Sequence, residues 1–232
     1  QVRVTSMARE SYQEKLEGLQ NDVLYMSEVV TDRLRMALEA MEQKDEETAR
    51  DIIDGDDEVN DIYLGLERDC IDLFALQQPV AGDLRLIASS FKIITDLERI
   101  ADLAVNLGEY TLDAEHETFP EVNIQAIGQE VVTMVEDAMN AYADRDTDAC
   151  FEIADRDDDI DAMCERASQT VVRDLIETEV GDDTTEDEVE RIMQDVSRML
   201  LTIRDLERVG DHAVNISART LYMTENDDEL IY

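Results

Sequence analysis

Apolar residues recur every three or four positions over long stretches of this chain, the period of a helix with one buried side. Between residues 10 and 43 the spaced set is Leu16, Leu19, Val23, Met26, Val30, Leu34, Leu38 and Met41. It predicts an amphipathic helix of about 30 residues, a length typical of helical bundles. A second helix is expected over 46–77, stopping before Pro79, because the residue ahead of a proline is pushed out of the helical region. A third is expected over 82–110. Residues 111–123, which contain Phe119-Pro120, read as a linker. The plan then recurs, with helices expected over 124–143, 146–179 and 186–223. The turn at 180–185 between the last two carries Thr185 and Glu188 at capping-box spacing.

The recurrence is also visible residue by residue. Asp54-Gly-Asp-Asp-Glu-Val-Asn60 returns as Asp155-Arg-Asp-Asp-Asp-Ile-Asp161, 101 positions later. Asp96-Leu-Glu-Arg-Ile-Ala-Asp-Leu-Ala-Val-Asn106 returns as Asp205-Leu-Glu-Arg-Val-Gly-Asp-His-Ala-Val-Asn215, 109 positions later. A duplication follows. The expected fold is all-α: two tandem three-helix bundles, 7–110 and 124–223, whose six long helices are antiparallel neighbours across short connections and pack side by side. Residues 1–6 are left outside the fold as an upstream extension, and the acidic tail over 224–232 is expected to fray.

The second match keeps Asp, Glu, Arg and Asn, whereas a requirement for the fold alone would let core residues interchange and dilute identity evenly. At about 100° per residue, Glu98, Asp102 and Asn106 form one stripe, each turned about 40° from the last. Leu97, Ile100, Ala104 and Leu107 lie on the opposite side and should face the core. Glu207, Asp211 and Asn215 repeat the stripe, opposite Leu206, Val209, Ala213 and Ile216. The preceding helix of each repeat offers a further i, i+4 pair, Asp56/Asn60 and Asp157/Asp161. With helix axes about 8–10 Å apart, two such stripes would surround one space with four or five oxygens. Carboxylates held that close repel unless they are protonated or bridged by cations. An all-oxygen set without His or Cys suits Mg²⁺, Mn²⁺ or iron, with zinc as a further candidate.

Composition alters the weight of this reading. There are 59 acids against 20 bases, a formal charge of -39, so a solvated acidic face is the competing explanation. In that case Arg99 and Arg208 would simply pair with neighbouring acids along the helix. The charge disfavours nucleic acids and anionic membrane surfaces. Its spread along the whole chain, with three lysines against 17 arginines, reads as adaptation to concentrated salt. At 1 M the Debye length is about 3 Å and the self-repulsion largely disappears. Eight Gly and two Pro are too few for an all-β fold, which needs frequent turns. Cys70, Cys150 and Cys164 fit no zinc spacing and are expected to be buried thiols in a reducing cytosol. No segment has the length of a membrane span or the look of a signal sequence, so a cytoplasmic location without membrane insertion is expected. The ten methionines are expected to fill core space. His212, facing Leu103 in the repeat alignment, is expected to pack or lie at the surface, and His116 falls in the linker.

Paired D-L-E-R-[IV]-[GA]-D-x-A-x-N motifs, each closing a three-helix repeat, resemble the PhoU family of phosphate-uptake regulators. Met7-Ala-Arg-Glu-Ser-Tyr-Gln-Glu-Lys-Leu16 and Val23-Leu-Tyr-Met-Ser-Glu-Val-Val30 are similar to that family's first helix. Gln78-Pro-Val-Ala-Gly-Asp-Leu-Arg85 is similar to its R-Q-P-x-A-x-D-L-R segment, with Gln77 where Arg is usual. The resemblance implies a cytoplasmic, non-enzymatic regulator, commonly a homodimer, that restrains a phosphate ABC transporter through its ATPase subunit. It also implies, for bacterial members, a phosphate-sensing histidine kinase as partner. It implies metal binding at Glu98/Asp102 and Glu207/Asp211, with Asp157/Asp161 on the facing helix. Asn60 stands where the family has a second acid, which leaves the first site weaker, with fewer ions, or empty. A carboxylate-bridged phosphohydrolase is the enzymatic alternative, but it lacks His ligands and an evident general acid or nucleophile. A metal-free helical adaptor is the other alternative.

Overall fold

Helical spacing, with almost no Gly or Pro to interrupt it, leaves the chain few options other than long rods. A computed structural model describes residues 2–76, 80–114, 119, 121–177 and 184–231. Among them the helices are α1 (Val2–Gln43), α2 (Glu46–Asp54), α3 (Asp56–Leu76), α4 (Ala81–Asp113), α5 (Ile124–Asp144), α6 (Thr147–Glu177) and α7 (Glu186–Glu225). Helices α2 and α3 continue one another as a bent rod, so the architecture is six rods in two three-rod repeats. Gln77 of the expected second helix and residues 178–183 of the expected fifth helix and the turn after it lie outside the described residues, as does His116.

Three boundaries differ from expectation. The first helix does not wait for residue 10 but starts at Val2, taking in residues expected to lie outside the fold. No Gly or Pro precedes Gly18 to stop a helix that propagates one hydrogen bond per residue. The second difference is the bend at Gly55, whose φ of -85° and ψ of 4° leave the helical region. A Cβ there would stand 2.6 Å from Arg33 Nη1 and 2.8 Å from Nη2. The guanidinium of α1 thus occupies the place of a side chain and reaches Glu58 of α3 at 2.7 Å. In the second repeat the equivalent residue is Arg156, which bridges the other way, from α6 to Asp137 of α5 at 2.7 Å, and α6 is unbroken. The third difference is the tail. After a left-handed cap at Asn226 it turns back and buries Leu230 against Cys150, Ala218 and Leu221, so it does not fray.

Both repeats make their first turn with the same two-residue device. Lys44 and Arg145 adopt φ of 56°, and the aspartate that follows each caps the next helix. Asp45 accepts from the backbone of Glu47 and Thr48, and Asp146 from that of Ala149. The capping box at Thr185 is formed, its hydroxyl accepting from Glu188 N at 3.3 Å while the Glu188 carboxylate accepts from Thr185 N at 2.9 Å.

Leu97, Ile100, Ala104 and Leu107 of α4 and Leu206, Val209, Ala213 and Ile216 of α7 are fully buried, as their spacing predicted. Helices α4 and α7 pack on each other and α1 packs on α5, so the two repeats share one continuous apolar core. Phe119 of the linker is buried in it. Met26, Met134, Met139 and Met223 fill core space, but Met36 and Met193 are exposed, so the methionines are only partly core filler. The three cysteines are buried free thiols. Burial pushes Cys70 and Cys164 up to about 12 and Cys150 to about 11, which keeps them protonated and unreactive.

Candidate metal centre

The antiparallel pair α6 and α7 brings two acidic stripes together. Asp157 and Asp161 lie one turn apart on α6, Glu207 and Asp211 one turn apart on α7. Their apolar neighbours Ile160, Leu206 and Val209 are drawn into the core, and this fixes the rotation of both helices. Oxygens of Asp157, Asp161 and Asp211 fall within 4.8 Å of one another. Among the described residues, the Oδ1 of Asp157 is buried without a hydrogen-bond donor. It sits against Gly210, at 3.4 Å from the place a Cβ would take.

The electrostatics follow from this crowding. Burial, then Asp161 and Asp211, pushes the Asp157 carboxyl up to about 6. Burial and Asp161 raise Asp211, against the opposing pull of His212 and Arg208, and burial with Asp161 and Asp211 raises Glu207. Each is held away from its charged form by lost solvation and like charge together. A bound cation would reverse both effects. The donor set is all carboxylate, which suits a hard divalent ion. Cys164 lies near enough for its thiol to be raised by all four acids, but its sulfur is not among the converging atoms.

The first repeat is the same arrangement with the charge partly cancelled. Asp56 of α3 faces Glu98 and Asp102 of α4, whose side chains are 22% and 42% exposed. Burial and then Asp102 raise Glu98, while burial and then Asp56 raise Asp102. Here, however, Asn60 donates its amide to Asp56 Oδ2 at 3.1 Å. Arg99 lies 3.6 Å from Glu98 and 3.5 Å from Asp102.

Asn106 and Asn215, expected at the ends of the two acidic stripes, are directed elsewhere. Asn106 donates to Asp205 of α7 at 3.1 Å, and Asn215 donates to Asp96 of α4 at 3.3 Å. The stripe turns about 40° with each step of four, so by its third member it has passed from the neighbouring α3 or α6 to the other repeat. Each aspartate has a second partner. Tyr110 donates to Asp205 at 2.8 Å, and His212 Nδ1 lies 2.8 Å from Asp96. His212 is therefore a tie between repeats. Asp96 and Asp205, the first residues of the duplicated motif, were not singled out by spacing. The sequence signal was their identity in both copies, but the acceptor role needs the other repeat in place.

Comparison with known proteins agrees with this architecture. Residues 23–111 and 124–220 each match the PhoU domain. The chain is 32% identical over 220 residues to the phosphate-specific transport system accessory protein PhoU homolog of Clostridium acetobutylicum, covering 94% of this chain and 95% of that one. It is 29% identical over 217 residues to the phosphate-specific transport system accessory protein PhoU of Escherichia coli, covering 92% and 85%. Its fold matches the crystal structure of PhoU from Pseudomonas aeruginosa with a TM-score of 0.84 at 28% identity, covering 93% of this chain and 100% of that one. The phosphate transport system regulatory protein PhoU of Streptococcus pneumoniae matches in fold with a TM-score of 0.81. With a family domain in each repeat and relatives aligned along nearly its whole length, the chain belongs to the PhoU family.

Proposed function

We propose that this protein is an accessory regulator of phosphate uptake that works by protein contact, and that its α6–α7 cluster holds a divalent cation. The transport role is supported by the names of its relatives, the phosphate-specific transport system accessory proteins. Contact with the transporter's ATPase subunit is the mode this reading assigns, acting from the cytoplasm and as a homodimer. A phosphate-sensing histidine kinase is a second partner of the same kind. No helix among the described residues is long and apolar enough to cross a membrane.

The observation that carries the cation is the convergence of Asp157, Asp161 and Asp211, with one buried carboxylate oxygen lacking a donor. Asp157, Asp161, Glu207 and Asp211 would hold the ion. It would supply positive charge that pins α6 to α7, in a group of acids that otherwise pushes them apart. Among the described residues the converging ligands include no His, and the Cys164 thiol beside them is held protonated, so the reading is binding and not hydrolysis. Two measurements test it. Elemental analysis after dialysis against Mn²⁺ or Mg²⁺ should find bound metal that is lost in the Glu207→Ala/Asp211→Ala double variant. Purified transporter ATPase subunit should co-elute with this chain on size exclusion. Unchanged metal content in the double variant would discard the site, and absence of co-elution would discard that partner.

A further inference from the structure

We infer that the duplicated acidic site is single in use: α6 and α7 take the cation, while the equivalent α3–α4 site is satisfied by the protein itself and takes none. This rests on the cation reading above and concerns how the two halves divide it.

The two sites are built alike but differ at one ligand position. Asp161 in the second repeat is Asn60 in the first. That exchange removes a negative charge, and it also turns an acceptor into a donor. The Asn60 amide fills one lone pair of Asp56 from inside the protein, at 3.1 Å. In the second repeat no amide can do this, and Asp157 Oδ1 is left buried with no donor among the described residues. The arginine of the shared motif follows the same division. Arg99 stands within 3.6 Å of both Glu98 and Asp102. Arg208, its equivalent, forms no ion pair among the described residues, although its charge reaches Asp211 from a distance.

The charges therefore differ in number and in placement. The first cluster holds Asp56, Glu98 and Asp102 with one arginine beside them, a net of two negative charges. The second holds Asp157, Asp161, Glu207 and Asp211 with no paired cation among the described residues. Only in the second do three carboxylate oxygens converge within 4.8 Å among the described residues. Arg99 is more than half exposed, and such a pair is individually weak. The position that decides is thus Asn60, where one side chain both lowers the charge and occupies the ligand site.

The test counts bound Mn²⁺ in the full chain by electron paramagnetic resonance and elemental analysis. The unaltered protein should hold one equivalent, Asn60→Asp should hold two, and Asp161→Asn should hold none. Two equivalents in the unaltered protein would overturn this inference and leave the cation reading standing. So would a single equivalent in Asn60→Asp that persists when Arg99→Gln is added. No bound metal in the unaltered protein would overturn the cation reading, and this inference with it.

Discussion

The amide of Asn106 in α4 donates to the buried carboxylate of Asp205 in α7, and the equivalent Asn215 returns the same bond to Asp96. The two bonds run in opposite directions along an antiparallel helix pair. They join the halves of the chain where the duplicated motifs meet, and they lie beside the acidic clusters, not inside them.

Asn106→Leu should destabilise the protein by about 1–3 kcal/mol, because Asp205 is only 4% exposed and loses one of two donors. Asn215→Leu should cost less, since Asn215 is exposed and His212 still serves Asp96. Urea unfolding with a shared slope measures both. Losses under about 0.5 kcal/mol for each, the level of a neutral surface change, would show that the bonds contribute nothing to joining the repeats.

Asp157 gives a pH dependence with a definite sign. Its carboxyl is raised to about 6, above the ordinary value of about 3.9. Between those values the folded state binds more proton than the unfolded state, so stability falls as pH rises through that window. Glu98, Asp102, Glu207 and Asp211 are raised as well and act in the same direction. The cap residues Asp45 and Glu188 are lowered and act oppositely, but in a range below the ordinary carboxylate value. In EDTA the urea midpoint should be higher at pH 5.5 than at pH 7.5. Asp157→Asn should raise the pH 7.5 value and reduce the difference. Excess Mn²⁺ at pH 7.5 should raise the midpoint of the unaltered protein more than that of the variant.

Two glycines inside helical rods should respond oppositely to alanine. At Gly210 the added methyl meets Asp157 and Ile160 at 3.4 and 3.5 Å, which is ordinary contact. Since alanine is favoured in a helix interior by about 1 kcal/mol, Gly210→Ala should stabilise the protein. At Gly55 the methyl would collide with the Arg33 guanidinium, so Gly55→Ala should destabilise it by displacing Arg33 from Glu58. Thermal melts of both variants check the contrast; a gain at Gly55 would show that the bend is not set by Arg33.

A charge of -39 predicts a strong response to salt. Raising KCl from 0.1 to 2 M should raise the melting temperature steadily, as screening shortens to about 3 Å near 1 M. A flat or falling curve would remove the reading of the surface as one adapted to concentrated salt.

The apolar side of each helix was legible because periodicity is a local property. Leu97, Ile100, Ala104 and Leu107 needed only their own spacing to be placed in the core. The pairing of Asp157/Asp161 with Asp211 was legible as well, since sequential helices across a short connection become neighbours. What escaped depends on atoms remote in sequence. The bend at Gly55 requires a guanidinium from α1. The role of His212 requires Asp96 from the other repeat. Asn106 meets α7 and not α3 because a helical stripe drifts by about 40° with each step of four residues.

Each half of the chain carries one donor and one acceptor of the Asn–Asp ties, so a lone half would be complementary to a copy of itself. Two separate copies must carry the same residue at every position, and any change is made twice. Once they are joined in a single polypeptide that constraint is gone. Tyr110 can support one tie and His212 the other, and Asn60 can stand opposite the role of Asp161. Covalent linkage of two matching halves is what permits a symmetric scaffold to house two unequal sites.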